Sequence, residues 1–148
     1  MTTIDEARER TAAKLLRASL GNSYDPVIEI DWTAPPAPDL LYVPERRASL
    51  YGTPLWDRLD AAQRIELTKH EVASIASIGI WFETILMRML LRQYHRQDPT
   101  SGHAQYALTE VADECRHSVM FGRMIATFGA PVYRLGTRDE LLGRFLTT

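Results

Sequence analysis

The sequence predicts an all-α fold: a helical bundle wrapped by a proline-rich segment. Two long stretches, residues 56–97 and 103–128, contain no proline and carry apolar residues at helical spacing. Six of the eight prolines fall in residues 22–55. Because proline interrupts helices, we expect that part to be extended, with at most a short turn near residues 44–50.

The first helix is expected over residues 4–20. Thr3 and Glu6 have the spacing of a capping box, and Gly21 follows as a helix-ending residue. Three leucines of this helix are expected to face inward: Leu15, Leu16 and Leu20.

The proline-rich segment, residues 22–55, contains three aromatic residues: Trp32, Tyr42 and Tyr51. We therefore expect it to pack onto the helices. The long helix that follows has two candidate caps, Asp57 and Asp60.

The break at residues 97–102 reads Gln-Asp-Pro-Thr-Ser-Gly and ends this long helix. The next helix ends at Gly129, with Pro131 in the expected place beyond it. Thr137 and Glu140 form another capping-box pattern. It precedes four apolar residues of a last helix: Leu141, Leu142, Phe145 and Leu146.

Composition and charge limit the classes of function. The chain has 148 residues, a typical length for one domain, and a formal net charge of -2, so no basic surface for nucleic acid is expected. Its single cysteine, Cys115, excludes an intramolecular disulfide framework and suits a reducing compartment. The acidic and polar start has no signal-peptide core, and we expect a cytoplasmic protein.

Residues 72–91 form an apolar stretch long enough to span a bilayer. However, Glu83 and Arg88 lie within it, and each charge costs about 2.5–3.5 kcal/mol on insertion. We therefore expect no membrane span, but a helix buried on most of its surface inside a bundle. A carboxylate in such a place needs a functional explanation.

The two long helices are expected to form an antiparallel hairpin. With its turn centred near residue 100, residues 83 and 117 are each seventeen positions from the turn and lie opposite each other. Glu83 is then level with Glu114 and His117, which share one face because they are three residues apart. Their neighbours at helical spacing are mostly apolar: Ala76, Gly79, Ile80, Leu86, Met87 and Leu90 on the first helix, and Ala107, Val111, Phe121 and Ile125 on the second.

This arrangement indicates half of a carboxylate-bridged metal pair. A Glu on one helix facing a Glu-x-x-His on the next supplies half of the ligands of a di-iron or di-manganese site in a four-helix bundle. Carboxylate and imidazole ligands suit iron, and manganese is the alternative metal.

The motif extends to Asp113-Glu114-Cys115-Arg116-His117, thirty residues after Glu83. Together with Leu-Tyr-Gly-Thr-Pro-Leu-Trp at 50–56 and Met-Phe-Gly-Arg-Met at 120–124, it resembles the p-aminobenzoate N-oxygenase (AurF-like) family of non-haem di-iron proteins. The resemblance covers about residues 25–135, the first half of such an enzyme. It implies a ferritin-like bundle and residues 1–148 as a single, truncated domain.

The resemblance implies a role for each motif residue. Glu83, Glu114 and His117 would be iron ligands. Asp113 would bond the ring of a histidine ligand, and Arg116 would pair with a carboxylate across the bundle. We also expect Glu110, one turn before Glu114, to lie in the shell around the ligands or to be partly exposed.

Other residues are weaker candidates. Glu71 is about 18 Å along the helix from Glu83 and lies in a charged patch, so we reject it as a ligand. We expect three histidines to be exposed and structural or inert: His70, His95 and His103. Cys115 points away from Glu114 and is expected to pack, and four aromatic residues are expected in the core: Trp81, Phe82, Tyr94 and Tyr106.

The resemblance implies an oxygenase that uses dioxygen and an unidentified electron donor to oxidise an aromatic amine at nitrogen. Two other hypotheses stay open: a ferritin-like metal-binding or storage module, and a metal-free helical remnant. Family members supply a further Glu and a His-x-x-x-Glu-x-x-His helix, whereas no histidine follows His117 here. The chain is then either a fragment of a longer product or one half of a homodimer.

Overall fold

The computed structural model describes residues 4–146, except for the side chains of Ile4, Leu20, Leu142, Arg144, Phe145 and Leu146. Within this range every regular element is a helix, which confirms the all-α prediction. Helices α4 and α5 form the central hairpin, and the other elements pack around it.

Helix α1, Ile4–Gly21, lies along α5, close to its expected bounds. The Glu9 carboxylate accepts hydrogen bonds from the backbone N–H groups of Gly102 (2.7 Å) and His103 (3.3 Å). These N–H groups have no hydrogen-bond partner within α5. The Glu9 side chain of α1 therefore satisfies backbone donors at the start of α5.

The prediction that the leucines of α1 face inward is only partly correct. Leu15 is 39% exposed and Leu16 is half-buried, whereas Ala12 is the buried residue. A small side chain in this position lets α1 approach α5 closely. Thr3 and the Leu20 side chain lie outside the described part of the chain.

The proline-rich segment packs onto the helices, as expected. It contains a short helix α2, Pro26–Glu29, and a 3-10 turn, Glu45–Arg47. The Trp32 indole donates a hydrogen bond to the Pro26 carbonyl (2.7 Å), and the Tyr42 ring meets the edge of Phe128 at a centroid distance of 4.6 Å.

The predicted start of one continuous helix at residue 56 is wrong, because the helix is interrupted at residues 59–60. A short helix α3, Pro54–Arg58, buries Trp56, and α4, Ala61–Tyr94, starts separately. Asp60 caps α4 in a reciprocal capping box with Gln63, so of the two expected caps Asp60 is the one used.

Helix α5, Gly102–Phe128, runs back along α4. It ends as predicted at Gly129, whose φ of 62° is the left-handed conformation that favours glycine. Ala73, Ala76 and Ile125 form the buried centre of the hairpin. Ala73 and Ala76 of α4 have small side chains, so the two helices approach closely.

The last described element is α6, Thr137–Leu146. Thr137 is its first helical residue, so the expected capping box with Thr137 at the cap position is not formed. Leu141 is 59% exposed, and the side chains of Leu142, Phe145 and Leu146 lie outside the described part. The connection before α6 is fixed to α4, where the Tyr133 N–H donates to the Ser77 hydroxyl (3.1 Å).

Helix α4 is less buried than the sequence predicted. By length and composition alone it is able to cross a membrane: an 18-residue window has a mean hydropathy of 1.5, and 22% of that window is buried. Length and composition alone are weak evidence for a span, because the core helices of soluble proteins share both properties. Phe82, expected in the core, is 56% exposed, and Ile75, Ile78 and Met89 are exposed beside it.

Candidate metal centre

The hairpin brings Glu83, Glu114 and His117 together. One ligand atom from each side chain lies within 4.8 Å of the other two. The Nδ1 atom of His117 is 2.8 Å from a Glu114 carboxylate oxygen and 3.5 Å from a Glu83 oxygen. The sequence-derived register of the two helices is therefore confirmed at this level of the bundle.

Local structure explains why the three side chains converge. Glu114 and His117 are separated by about one turn of α5 and project from one face. One turn further, the Phe121 ring fills the space beside Gly79 of α4, where an added Cβ atom would lie 2.9 Å from the ring. Glycine thus allows the close approach of α4 and α5 one turn away from Glu83.

The two carboxylates lie in a largely dry environment. The side chains of Glu83 and Glu114 are only 12% and 11% exposed, whereas that of His117 is 49% exposed. Burial, and secondly the hydrogen bond and charge of Glu114, raise the pKa of Glu83 from 4.5 to about 7, and His117 partly opposes this shift. A cation near these oxygens would favour the charged form of both carboxylates.

The donor set fits a transition metal. Two carboxylates and one imidazole are ligands suited to iron in its +2 and +3 states and to manganese, and carboxylates can bridge two ions. The three side chains come from two rigid helices, which limits their movement. The arrangement offers half of the ligands of a two-metal site of this class.

Asp113 and Arg116 pair with each other beside the ligands. The Arg116 guanidinium donates to the Asp113 carboxylate at 2.5 Å. The resemblance implies partners on a histidine ring and across the bundle; in the described structure the two residues neutralise one another instead. Both line a cavity of about 180 Å³ that His117 also borders, together with Asn22, Tyr24, Pro26 and Met120.

Glu110 is hydrogen-bonded to the Tyr106 hydroxyl one turn earlier on α5. This bond, followed by burial, raises the pKa of Tyr106 to about 12. Tyr106 was not expected near the site, although its position four residues before Glu110 is the sequence signal for such a contact. Glu110 is half-buried one turn before Glu114, and its carboxylate is hydrogen-bonded to Tyr106.

Glu71 accepts hydrogen bonds from the backbone and hydroxyl groups of Ser49, which agrees with its rejection as a ligand. His70, which was expected to be exposed, is half-buried, with its ring nitrogens near Glu66 (2.9 Å) and the Tyr133 hydroxyl (2.5 Å). His95 is exposed as expected.

Two further expectations need correction. His103 is half-buried and not exposed, at the junction of α1 and α5. Cys115 was expected to pack, but it is exposed, with its thiol 3.5 Å from the Met87 sulfur.

A larger cavity lies away from the three ligand candidates. It is an open groove of about 490 Å³ between α1 and the first turns of α5, bordered by His103 and Tyr106. Tyr106 precedes Glu114 by eight residues, or about 12 Å of helix. We therefore do not assign this groove to the metal centre.

An all-helical chain with a Glu on one helix facing a Glu-x-x-His on the next has the features of the non-haem carboxylate metalloproteins. A model of the p-aminobenzoate N-oxygenase AurF family matches residues 5–148 of the sequence. The chain belongs to this family, and the resemblance drawn from its motifs is confirmed.

Three individual relatives share less than 30% of their residues with this chain over the matched region. An uncharacterized protein of Mycobacterium bovis and uncharacterized proteins of two Mycobacterium tuberculosis strains are each 28% identical over 130 residues. The match covers 85% of this chain but 38% of each relative, so the chain spans little more than a third of their length. No solved structure matches the chain.

Proposed function

We propose that this chain supplies one ligand set of a non-haem di-iron centre, held by Glu83, Glu114 and His117. The observation that carries the proposal is their convergence: three ligand atoms, from two helices, lie within 4.8 Å of one another. Membership of the AurF family supports iron as the metal, with manganese as the alternative.

We further propose that the centre belongs to an oxygenase that oxidises a small organic substrate, an aromatic amine at its nitrogen. Support comes from the description of the family, p-aminobenzoate N-oxygenase. When bound, reduced iron would supply the electrons with which dioxygen is activated, and a separate electron donor would restore it. Asp113 and Arg116, beside His117, would keep the ligand shell electrostatically balanced.

Family membership and the single exposed cysteine are compatible with a protein of the cytoplasm, and we propose that location. We also propose that residues 1–148 behave as one helical unit that includes the proline-rich segment 22–55. The contact of Tyr42 with Phe128 and the position of Arg123 over the Trp32 ring support the second statement, because Phe128 and Arg123 belong to α5.

Metal binding is tested first. Fe²⁺ is added under anaerobic conditions, and bound iron is measured after desalting, with Glu114→Ala and His117→Ala as ligand variants. Glu71→Gln is the matched control, since Glu71 is on the same helix as Glu83 but bonds Ser49. We expect iron in the wild type and in the control but not in the ligand variants. Equal iron in all four proteins would refute the site.

Oxidation is tested separately. The iron-loaded protein is given dioxygen, a chemical reductant and p-aminobenzoate, and hydroxylamino or nitro products are measured by mass spectrometry with isotopically labelled dioxygen. Label at the substrate nitrogen supports the oxygenase. Iron binding without any oxidised product would leave the metal site in place and refute the proposed reaction for this chain.

One observation favours a second candidate, a metal-binding module without catalysis. The cavity beside His117 measures about 180 Å³, below the roughly 300–1,000 Å³ of most small-molecule sites. The described residues thus hold ligands without a pocket of ordinary size next to them. Stoichiometric iron uptake with no turnover is the result expected of this candidate.

A further inference from the structure

We propose that Tyr133 is a redox-active tyrosine and that His70 is the base that takes its proton when the ring loses an electron. The pair would take up one-electron oxidising equivalents at this surface of α4 and be restored by a small reductant. This inference goes beyond the proposed function and does not depend on it, because the three ligand candidates take no part in the reaction.

The hydrogen bonds of the His70 ring identify the base. Its Nε2 atom lies 2.9 Å from a Glu66 carboxylate oxygen, and its Nδ1 atom lies 2.5 Å from the Tyr133 hydroxyl. The pKa of Glu66 is lowered, first by its hydrogen bond to Lys69, so this carboxylate is ionised and only accepts hydrogen bonds. The neutral ring therefore carries its proton on Nε2 and donates it to Glu66. Nδ1 is left as the acceptor, and the Tyr133 hydroxyl donates to it.

Both partners of this contact are held in place. Glu66 and His70 are about one turn apart on α4, and the other oxygen of Glu66 is 2.7 Å from the Lys69 ammonium. The backbone N–H of Tyr133 donates to the Ser77 hydroxyl at 3.1 Å. Ser77 follows His70 by seven residues, about two turns of the same helix. Tyr133 is thus fixed to α4 at its backbone and at its hydroxyl, and the phenol meets the imidazole without rearrangement.

This contact has what proton-coupled oxidation of a phenol requires. Loss of one electron makes the phenol O–H strongly acidic, so a phenol that is bonded to a base loses its electron and its proton together. The electron goes to a one-electron oxidant of high potential, such as an oxygen-centred radical, and the O–H proton moves to Nδ1 of His70. The products are a neutral Tyr133 phenoxyl radical and a His70 imidazolium that faces the Glu66 carboxylate. A one-electron reductant, such as ascorbate, returns the electron, and the proton goes back to the phenoxyl oxygen.

The base distinguishes Tyr133 from the other tyrosines. In the part of the chain that the structure describes, its hydroxyl is the one bonded to an imidazole. The Tyr106 hydroxyl is bonded to the carboxylate of Glu110, and a carboxylate is the weaker base, with an ordinary pKa of about 4.3 against about 6.5 for imidazole. Tyr133 is also 37% exposed, so a small oxidant or reductant in solution can reach its ring.

The test oxidises the metal-free chain with a photogenerated ruthenium(III) polypyridyl complex and follows the absorption of the phenoxyl radical over time. We expect a fast phase of radical formation that Tyr133→Phe abolishes. The fast phase should be slower in D2O, since a proton moves with the electron. Tyr51→Phe is the matched control: Tyr51 is 49% exposed, and its substitution should leave the fast phase unchanged.

His70→Gln separates the base from a contact that only positions the ring. The glutamine carbonyl oxygen accepts a hydrogen bond but does not take up a proton near neutral pH. The fast phase should therefore slow about tenfold or more, because a positioned base typically contributes at least that much to a proton transfer. In His70→Ala, imidazole added to the solution should restore part of the rate, which a purely structural role of His70 does not predict.

The outcomes decide between the two roles. A fast phase that persists in Tyr133→Phe would show that another residue is oxidised and would overturn the proposal. A wild-type rate in His70→Gln would assign the contact to packing alone and would overturn it as well. Ascorbate should return the wild-type chain to its starting state between flashes, and a radical that ascorbate does not reduce would contradict the proposed role. Because no metal is added, each of these results is independent of whether the chain binds iron.

Discussion

The pKa of Glu83 predicts an inverted pH dependence for the stability of the metal-free chain. In the folded chain this pKa is raised from 4.5 to about 7, first by burial and then by Glu114. A group with a raised pKa binds more protons in the folded state than in the unfolded state between these two values. Its contribution to stability is therefore lost as pH rises from about 4.5 to 7 and does not change further above that.

The size of the effect follows from the shift. Each pKa unit corresponds to about 1.4 kcal/mol, so the shift amounts to about 3 kcal/mol of lost stability at pH 8 as an upper limit. Because Glu83 and Glu114 interact strongly, this figure belongs to the pair of carboxylates. Replacing Glu83 with Gln removes the charge but keeps the shape. The variant should differ least from wild type near pH 5 and exceed it increasingly towards pH 8.

The assay is urea unfolding followed by circular dichroism at 222 nm, with EDTA present, at several pH values from 5 to 8. Glu66→Gln is the control on the same helix. The pKa of Glu66 is lowered, first by its hydrogen bond to Lys69, so removal of that charge should slightly destabilise the chain over this pH range. If Glu83→Gln were no more stable than wild type at pH 8, burial and the neighbouring Glu114 would not disfavour the charged form of Glu83 as the structure implies.

Four further variants test the packing and capping of the helices, each by urea unfolding against wild type. Gly122→Ala should stabilise by up to about 1 kcal/mol, because nothing lies within 4 Å of the added carbon in a helix interior. Gly79→Ala should be at least about 1 kcal/mol less stable than Gly122→Ala, because its added carbon would meet an aromatic ring at 2.9 Å; equal stabilities would contradict that contact. Asp60→Ala should cost about 1 kcal/mol through loss of the α4 cap, and an unchanged midpoint would contradict it. Trp56→Ala should cost about 3–5 kcal/mol, because 2% of this residue is exposed, and a cost below 1 kcal/mol would show that the site collapses around the change.

The hairpin and its register were predictable because they depend on local signals. The break at residues 97–102 fixes the turn, and equal distances from it place Glu83 level with His117. Helical spacing then decides that Glu114 and His117 share a face. These arguments need no knowledge of the other elements, and the 3.5 Å approach of His117 to Glu83 agrees with them.

The exposed residues were not predictable in the same way. Apolar residues surround α4 on most sides, so periodicity alone does not distinguish Ile80, packed on the core, from Phe82, which is 56% exposed. Burial depends on which neighbouring helix is present. The pairing of Asp113 with Arg116 likewise depends on which groups lie within reach, and these two residues are about one turn apart on α5.

Ile75, Ile78 and Phe82 form an exposed apolar stripe on α4, the helix that also carries Glu83 with its raised pKa. Each is a feature that a further pair of helices and two cations would remove: the first by covering Ile75, Ile78 and Phe82, the second by neutralising the charge next to Glu114. Covering the stripe alone would dry the carboxylates further and raise their pKa values, whereas adding metal alone would leave apolar surface in water. Each change is therefore more favourable when the other has taken place. Metal binding and the covering of this stripe are for this reason expected to be coupled, with each favouring the other by the same factor.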